Sequence, residues 1–281
     1  MVEIVPLWLV NLLSFMTVFS VMASIGTTIT PEACFAHLRS PGLLIRGLAS
    51  VLVAVPVIGI AAGFAFGLSL PEKVGITLMA IAPGAPLALR RALGSGADAG
   101  FAPTLQVAVA ILAVPAVPAW VIIANAILGT HGVADAAAIA RQVFLAQLLP
   151  LALGAVVRKA APRWGVRIGT GLGRTGLVLL LTAIASQVVD LQYVILATRL
   201  WPTITAAAIT IAALLVGHLL GGALAEVRHS VAIAGALRNV GVAFLVAATN
   251  HVPPEVEAVV VSYAITAIVV VTVYIPLRRL G

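Results

Sequence analysis

An arginine and an asparagine, Arg238 and Asn239, lie side by side in the middle of a long apolar stretch. An arginine near the centre of a bilayer costs at least roughly 2.5–3.5 kcal/mol, so something must offset its charge. No apolar stretch contains a deeply placed acidic residue that could do so. Two interpretations stay open: the guanidinium binds an anionic solute, or it caps the carbonyls of a broken helix. Asn239, which can donate and accept hydrogen bonds, is a candidate for the same site.

Arg90 is the second basic candidate for a solute-binding residue. It ends the string Ala88-Leu89-Arg90, which matches Ala236-Leu237-Arg238 and suggests a related position in the other half of the chain. The alternative is that Arg90 is one of the basic residues that face the cytoplasm beside a membrane span.

Several uncharged polar side chains also interrupt apolar stretches. His218 could relay protons because imidazole titrates near neutral pH, although a hydrogen-bonded core histidine is the favoured interpretation. The other side chains could line a solute pathway or bond to a neighbouring helix. They are Asn11, Gln106, Gln147, Gln187 and Thr266. Of these, Asn11, Gln106 and Thr266 join His218 among the predicted solute-contacting residues.

Signatures of enzymes are missing from the sequence. There is no HExxH zinc motif, no GxSxG, no GxGxxG after a strand and no P-loop. The single cysteine, Cys34, excludes an internal disulfide and a cysteine metal cluster. We therefore predict no enzyme activity, no cofactor and no bound metal, and an intramembrane enzyme is the least favoured function considered.

The composition predicts that lipid surrounds most of the chain. Of the 281 residues, 62% are hydrophobic and only 9% are charged, and the mean hydropathy is +1.18. Soluble domains carry about 25% charged residues. The net charge of +7 comes from short loops without interleaved aromatics, so we expect contact with anionic lipid rather than nucleic acid. Nothing in the sequence indicates a protein partner.

A membrane-spanning helix needs about 20 mostly apolar residues. Nine stretches meet this length, so we predict an all-α polytopic membrane protein with a single transmembrane domain over residues 1–281. The nine predicted spans are 4–28, 43–68, 73–94, 100–129, 138–158, 171–189, 202–224, 229–250 and 256–277.

The third and eighth predicted spans contain helix-breaking sequence. Ala82-Pro83-Gly84-Ala85-Pro86 interrupts the third span, where two prolines remove two amide donors. Gly235, Gly241 and the Arg238-Asn239 pair interrupt the eighth. Weakened helices at corresponding places in two halves of a chain indicate a transporter with inverted repeats, whose binding site lies at those breaks.

Basic residues in the loops predict the orientation of the chain. When the nine spans alternate, twelve Lys and Arg residues fall on one side and three, Lys73, Arg141 and Arg199, fall on the other. The rich side should be cytoplasmic. We therefore expect the N-terminus outside and the C-terminus inside, in the cell's inner membrane.

Three segments resemble the bile acid:sodium symporter family. Residues 25–32 with Arg39-Ser40-Pro41 are similar to that family's second helix and following loop. The Ala82-Pro83-Gly84 break, followed by the loop from Gly94 to Gly100, resembles the family's first crossing region. Residues 236–241 resemble its second crossing region. The resemblance covers most of the chain in the right order, and the family's first helix is missing, as in a divergent nine-helix member.

This resemblance implies two inverted repeats, with two broken helices that cross in a core domain. Residues 43–129 and 202–277 would form the core, and residues 4–28 and 138–189 would form a panel. Solute would bind in the cleft between core and panel, near the crossing.

The chain departs from the family where the family binds two sodium ions. The Ser-Asn pair after the first break reads here as Ala88-Leu89. A glutamate of the second break reads as Ala234, and the following glutamine reads as Arg238, while the asparagine is retained as Asn239. Ala, Leu and Arg supply no oxygen ligand, and Arg238 would repel the ion. We therefore expect the sodium sites to be lost, with the guanidinium in place of a cation, in contact with the solute, or both.

The expected function is secondary transport of a small organic anion without sodium, by an elevator-like or rocking motion of the core against the panel. Two alternatives stay open: a sodium-coupled organic-anion symporter, and a non-transporting membrane scaffold or sensor subunit. Arsenite-efflux relatives use a cysteine in a broken helix, and the position of Cys34 argues against that activity.

Overall fold

The computed structural model describes residues 7–28, 41–130, 135–190, 200–249 and 252–278. Within these ranges all regular structure is helical, so the all-α prediction is confirmed. The Arg39-Ser40-Pro41 motif, apart from Pro41, and Cys34 lie outside the described residues. The helices are α1 (Leu7–Thr28), α2 (Pro41–Ala65), α3 (Leu70–Ile81), α4 (Pro86–Gly94), α5 (Phe101–Leu128), α6 (Ala136–Ala160), α7 (Pro162–Asp190), α8 (Leu200–Leu220), α9 (Ala225–Ala236), α10 (Val240–Thr249) and α11 (Pro254–Arg278).

Several of these helices are long and apolar enough to cross a membrane. Among the described residues there are six such helices, counting 225–247 as one, and the bent pair α3 and α4 makes a seventh. The apolar part of α1, Leu12–Thr28, is shorter. The chain is therefore a polytopic membrane protein, while the count of nine spans stays a prediction.

Helix α7 begins at Pro162, whereas the sequence predicted a span from 171. Proline suits the first turn of a helix because its missing N–H has no partner to lose there. Arg163 and Arg167, which we expected in a loop, therefore lie on the first two turns of α7.

Proline also explains an irregular turn in two helices. Helix α2 contains a π-helical turn at Ser50–Ala54, and α6 contains one at Phe144–Leu148. Pro56 follows the first turn and Pro150 follows the second. A proline inside a helix lacks an N–H, and its ring clashes with the carbonyl four residues earlier, so the preceding turn widens. Sequence reasoning missed both turns.

Both predicted helix breaks are present. Helix α3 ends at Ile81, and α4 begins at Pro86 after a bend of 60°. Gly84 in this break has a φ of 76°, a conformation that other residues adopt at a cost. The second break, Leu237 to Asn239, separates α9 from α10.

The helices form two packed groups. Helix α1 packs along α6 and α7, and the backbones come so close that a Cβ on Gly26 or Gly154 would overlap the facing helix. Helices α8, α9 and α11 pack together with α2, α3 and α5 around a buried core that includes Met79, Ile233 and Tyr263. The predicted division into core and panel domains stays a prediction.

Candidate functional site

The first break exposes backbone carbonyls that an uninterrupted helix would use. In an α-helix each C=O accepts from the N–H four residues later. Met79 and Ala82 are four residues before Pro83 and Pro86, and proline has no N–H. A buried carbonyl without a donor is costly. The Met79 carbonyl keeps one backbone donor, the Ala82 N–H at 3.2 Å, whereas the Ala82 carbonyl needs a donor from another element.

The guanidinium of Arg238 reaches carbonyls at the end of α3 from the second break. Its Nε donates to the Met79 carbonyl at 3.3 Å, and its Nη2 donates to the Ala80 carbonyl. Its Nη1 reaches α2 and donates to the Val51 carbonyl at 3.1 Å. One side chain thus joins α2, the end of α3 and the second break.

The Val51 carbonyl on α2 also lacks its helical donor, because a proline follows the π-helical turn. Within the π-helical turn, the N–H of Val55 donates to Ser50 instead of to Val51. The next residue, Pro56, has no N–H to offer to either Val51 or Leu52. Arg238 takes the Val51 carbonyl, and the Trp120 indole N–H donates to the Leu52 carbonyl at 2.7 Å.

Asn239 makes the second link between the two breaks. Its backbone N–H donates to the Ala82 carbonyl at 2.9 Å, which replaces the donor that Pro86 lacks. Its side-chain amide donates to the Gly84 carbonyl at 3.5 Å. Gln106 on α5 donates to the same carbonyl at 3.0 Å. The two breaks therefore meet, and α5 supports the meeting point.

Burial and local dipoles decide how Arg238 is stabilised. The side chain is 4% exposed, and two of its three carbonyl partners lie in the last turn of α3, where the helix dipole is negative. Three of the five guanidinium N–H groups have these partners, which leaves two for another acceptor. Arg238 thus caps helix carbonyls with three of its N–H groups, as one of the two interpretations predicted. Its other two N–H groups can still contact a solute.

A cavity of about 90 Å³ lies beside the meeting point of the two breaks. On the same measure one water needs roughly 10–15 Å³, so the cavity has room for several waters or a small organic molecule. Helices α1 and α7 form one wall, and the two broken spans with α11 form the other. The polar lining residues are Thr17, Arg90, Arg238 and Asn239, and the others are apolar or glycine.

Arg90 lines this cavity from α4 and bridges the two walls. Its Nη2 donates to the Ser24 hydroxyl on α1 at 2.7 Å, and its Nη1 donates to the Gly173 carbonyl on α7 at 3.4 Å. Ser24 in turn donates to the Gly169 carbonyl at 2.6 Å. A Cβ at position 173 would overlap the Arg90 guanidinium, so only glycine allows this contact.

Thr17 on α1 is a buried hydroxyl in the cavity wall. Among the described residues its Oγ1 has no hydrogen-bond partner, and the same holds for Ser14 one turn earlier. A buried polar group without a partner is unfavourable, so a water or a polar solute in the cavity would stabilise Thr17.

The structure does not bring all sequence candidates into the cavity. Gln106 supports the first break from behind, and Thr266 bonds to the Ser262 carbonyl of its own helix at 2.8 Å. His218, expected in the middle of a span, lies near the end of α8 and bonds to Tyr274. The Asn11 side chain lies outside the described residues. Arg90, Arg238 and Asn239 are the candidates that share the cavity.

The string shared by Ala88-Leu89-Arg90 and Ala236-Leu237-Arg238 does not mark equivalent positions. Arg238 lies within the second break, whereas Arg90 lies inside α4, after the first break. The residues opposite Arg238 are Met79 and Ala80, at the end of α3. The two identical three-residue sequences therefore have different local structures.

Sequence reasoning missed the residues that α1 and α7 contribute to the site. Ser24 and Thr17 are ordinary hydroxyl residues in an apolar helix, and Gly173 is one of several glycines in α7. The four-residue spacing of Gly165, Gly169 and Gly173 was the available signal, because such spacing indicates close helix packing.

The chain matches the model of a known protein family. The model of the Sodium Bile acid symporter family matches residues 15–198, which run from within α1 to beyond α7 and include the first break. No curated protein matches the chain at a significant level. The matched residues make up well over half of the chain and contain most of the cavity wall, while the second break follows them.

Proposed function

The chain belongs to the Sodium Bile acid symporter family, a family of membrane transporters, and on this premise we propose that it carries a small organic anion across the cell's inner membrane without sodium. The anion binds in the cavity between the α1–α7 wall and the broken spans. Arg90 is its main ionic contact, and Arg238, Asn239 and Thr17 complete the polar surface.

The observation that carries this proposal is the engagement of Arg238 with three backbone carbonyls where the broken spans meet. Carbonyl oxygens are the ligands that hard cations use in proteins. Here a guanidinium, fixed to the chain, takes those oxygens. A sodium ion at the same place would be repelled by a permanent positive charge in a region of low dielectric. The guanidinium of Arg238, which is covalently part of the chain, thus takes the place of a coupling cation in joining the two breaks.

The charge and polarity of the cavity support an anionic, partly apolar solute. Two guanidinium groups face it, and none of the lining residues within the described ranges is acidic. Arginine offers paired N–H donors that match a carboxylate. The rest of the lining is apolar and favours a carboxylate with a hydrocarbon body. An inorganic anion would lose its hydration there and gain few contacts in exchange.

The contact of Arg90 with Ser24 and Gly173 suggests how binding is linked to movement. Arg90 belongs to the broken span, and both partners belong to the opposite wall. A carboxylate that binds Arg90 competes with these contacts and so loosens the hold of one wall on the other. An elevator-like or rocking motion of one group against the other then moves the solute.

A sodium-coupled symporter is the second candidate, because that is the family's named activity. A non-transporting scaffold or sensor subunit is the third. The polar groups that face the cavity weigh against the scaffold, because a protein without a solute has no need of an unpartnered Thr17 hydroxyl or a water-exposed Arg90 there.

The test is the thermal stability of the purified protein with a panel of small carboxylates, in sodium-free choline buffer and in sodium buffer. A ligand that binds the folded state stabilises it by mass action. We expect a carboxylate to raise the melting temperature equally in both buffers. Arg90→Gln should lose most of this shift, whereas Arg91→Gln, on the neighbouring side chain that bonds to Thr272 instead, should keep it.

Two outcomes would contradict the proposal. A shift that appears only with sodium would mean a sodium-coupled symporter with its cation site elsewhere. No shift with any carboxylate, together with an Arg238→Ala variant more stable than the wild type, would favour the scaffold.

A further inference from the structure

A second polar cluster lies away from the cavity, at the ends of four packed elements. The Nε2 of His218 on α8 lies 2.6 Å from the Tyr274 hydroxyl on α11. The same hydroxyl lies 3.0 Å from Nδ1 of His229 on α9. The Nε2 of His229 lies 2.7 Å from the hydroxyl of Ser95, just after α4. These four side chains form one continuous chain, here called the histidine relay.

The hydrogen bonds of Ser95 fix the direction of the relay. A hydroxyl has one hydrogen, and that of Ser95 is directed to the last turn of α4, with the Arg91 carbonyl at 2.7 Å. We assign the Ser95 hydrogen to this carbonyl, so that Ser95 accepts from the Nε2–H of His229. In a neutral His229 the Nδ1 is then unprotonated, and it accepts a hydrogen bond from the Tyr274 hydroxyl. Tyr274 in turn accepts from the Nε2–H of His218, so every bond is satisfied with both rings neutral.

The relay can also hold one more proton with every bond satisfied. A proton that arrives at the bare Nδ1 of His218 makes that ring an imidazolium. The Nε2 proton then moves to the Tyr274 oxygen as the tyrosine proton moves to Nδ1 of His229. His218 ends neutral with its proton on Nδ1, Tyr274 donates back to it, and His229 carries the added charge with N–H on both nitrogens.

We propose that the histidine relay is a proton-binding site, in which His218 is the entrance and the fully buried His229 holds the proton. The relative positions of the two rings support these roles. His218 is only partly buried near the end of α8, while His229 is 0% exposed. Tyr274 lies between them, with its ring against both imidazoles. Ser95 holds His229 in the tautomer that can receive a proton.

Surrounding charges act on the proton in both directions. Burial of the His218 ring and, after it, the charges of Arg228 and Arg278 oppose an added positive charge on this imidazole. The end of α4, whose carbonyls accept from Ser95, favours one because a helix C-terminus is negative. The described charged side chains on the elements packed around the relay are Arg46 on α2, Arg90 and Arg91 on α4, Asp98 after α4, Glu226 and Arg228 on α9, and Glu255, Glu257 and Arg278 on α11, of which the two glutamates lie at the opposite end of α11.

Proton binding here would affect both broken spans. Ser95 follows α4 of the first broken span, and His229 belongs to α9 of the second. Arg278 on α11 also donates to the carbonyls of Ser95 and Ala225, each at 3.4 Å. A charge on His229 repels Arg278 and weakens this hold on the ends of α4 and α9. The activity of the protein should therefore depend on pH on the side where these helix ends lie.

The experiment is NMR of the full chain in nanodiscs, with ¹⁵N-labelled histidine, between pH 5 and pH 8. His218→Gln and His229→Gln assign the two rings. In the wild type both rings should respond over the same pH interval, and His229 should become doubly protonated. Tyr274→Phe removes the bridging hydroxyl, so the His229 ring should stay neutral down to pH 5 while His218 still titrates.

Tyr263→Phe is the matched control, because Tyr263 lies on the same helix roughly 16 Å further along the axis. It should leave both titrations as in the wild type. A His229 ring that stays neutral in the wild type across this range overturns the proposal, and so does one that protonates in Tyr274→Phe as in the wild type. The measurement uses no solute, so its outcome is independent of the proposed transport function.

Discussion

Arg238 is a buried guanidinium whose hydrogen-bond acceptors, among the residues that the structure describes, are backbone carbonyls rather than a carboxylate. Three backbone carbonyls accept its N–H groups, and two of them belong to the last turn of α3. These carbonyls do not receive a hydrogen bond from the N–H four residues later, as they would in a regular helix. The N–H groups of Arg238 and the carbonyls at the breaks therefore serve as hydrogen-bond partners for each other. Removal of either side leaves buried polar groups unpaired, which is more costly than the same loss in water.

We predict that Arg238→Met destabilises the protein by about 3 kcal/mol, since one to three carbonyls lose their donors while the cost of a buried charge is also removed. A denaturant titration of the purified protein in detergent measures this change. Arg141→Met, at an exposed arginine of α6, is the control and should change the free energy of unfolding little. An Arg238→Met variant as stable as the wild type would mean that the three bonds contribute nothing.

At the scale of elements, prolines determine where this protein can form contacts between helices. Each of Pro56, Pro83 and Pro86 withholds a donor from a carbonyl in the preceding turn. Donors from distant elements fill these positions: the Trp120 indole, the Arg238 guanidinium and the Asn239 backbone. The breaks are thus the places where α2, α3, α5 and the second broken span are joined.

Glycine has a comparable role in α7. Two glycines two residues apart on this helix meet different surroundings: a Cβ on Gly173 would overlap the Arg90 guanidinium, whereas a Cβ on Gly171 has open space. The pair separates the loss of the Arg90 contact from the general effect of alanine on a helix.

We predict that Gly173→Ala displaces Arg90 and removes most of the carboxylate-induced rise in melting temperature. The protein should still fold, because the group that must move is the end of a flexible side chain. Gly171→Ala should keep the rise and stabilise the helix by about 0.5–1 kcal/mol, since alanine is the better helix former. Equal carboxylate responses in the two variants would show that the Arg90 position does not matter for binding.

At the scale of the whole molecule, the distribution of basic residues is expected to orient the chain in the bilayer. Helix α6 offers a direct test because Arg141 and Lys159 are exposed near its opposite ends. They are 18 residues apart, or about 27 Å at the rise of an α-helix. This is close to the roughly 30 Å thickness of the hydrocarbon core.

We predict that the Lys159 end of α6 is cytoplasmic and the Arg141 end is outside. In a Cys34→Ser background, a membrane-impermeant maleimide should label Arg141→Cys in intact cells. It should label Lys159→Cys only in inside-out vesicles. The reverse pattern would invert the orientation, and labelling of both variants from one side would mean that α6 does not span the membrane.

Part of the lining of the candidate site could be predicted from the residues alone, while its role in solute binding stays a prediction. Arg238 and Asn239 were identified because charge and amide groups are costly in an apolar span, and both face the cavity. Arg90 was identified through a string match that the structure does not support, although the residue itself lines the cavity. The other polar candidates have different contacts. Gln106 bonds to the first break, Thr266 bonds within its own helix, and His218 belongs to the histidine relay.

The sequence by itself determined the membrane environment, the helical class and the two broken spans. These depend on local properties: hydrophobic runs long enough to cross a bilayer, and prolines that cannot donate. Only the tertiary structure decided which donors fill the freed carbonyls, that Gly173 receives Arg90, and that His218 and His229 share one tyrosine. Those outcomes depend on which helix faces lie opposite each other, and residues 45 to 187 positions apart meet there with no local pattern to indicate it.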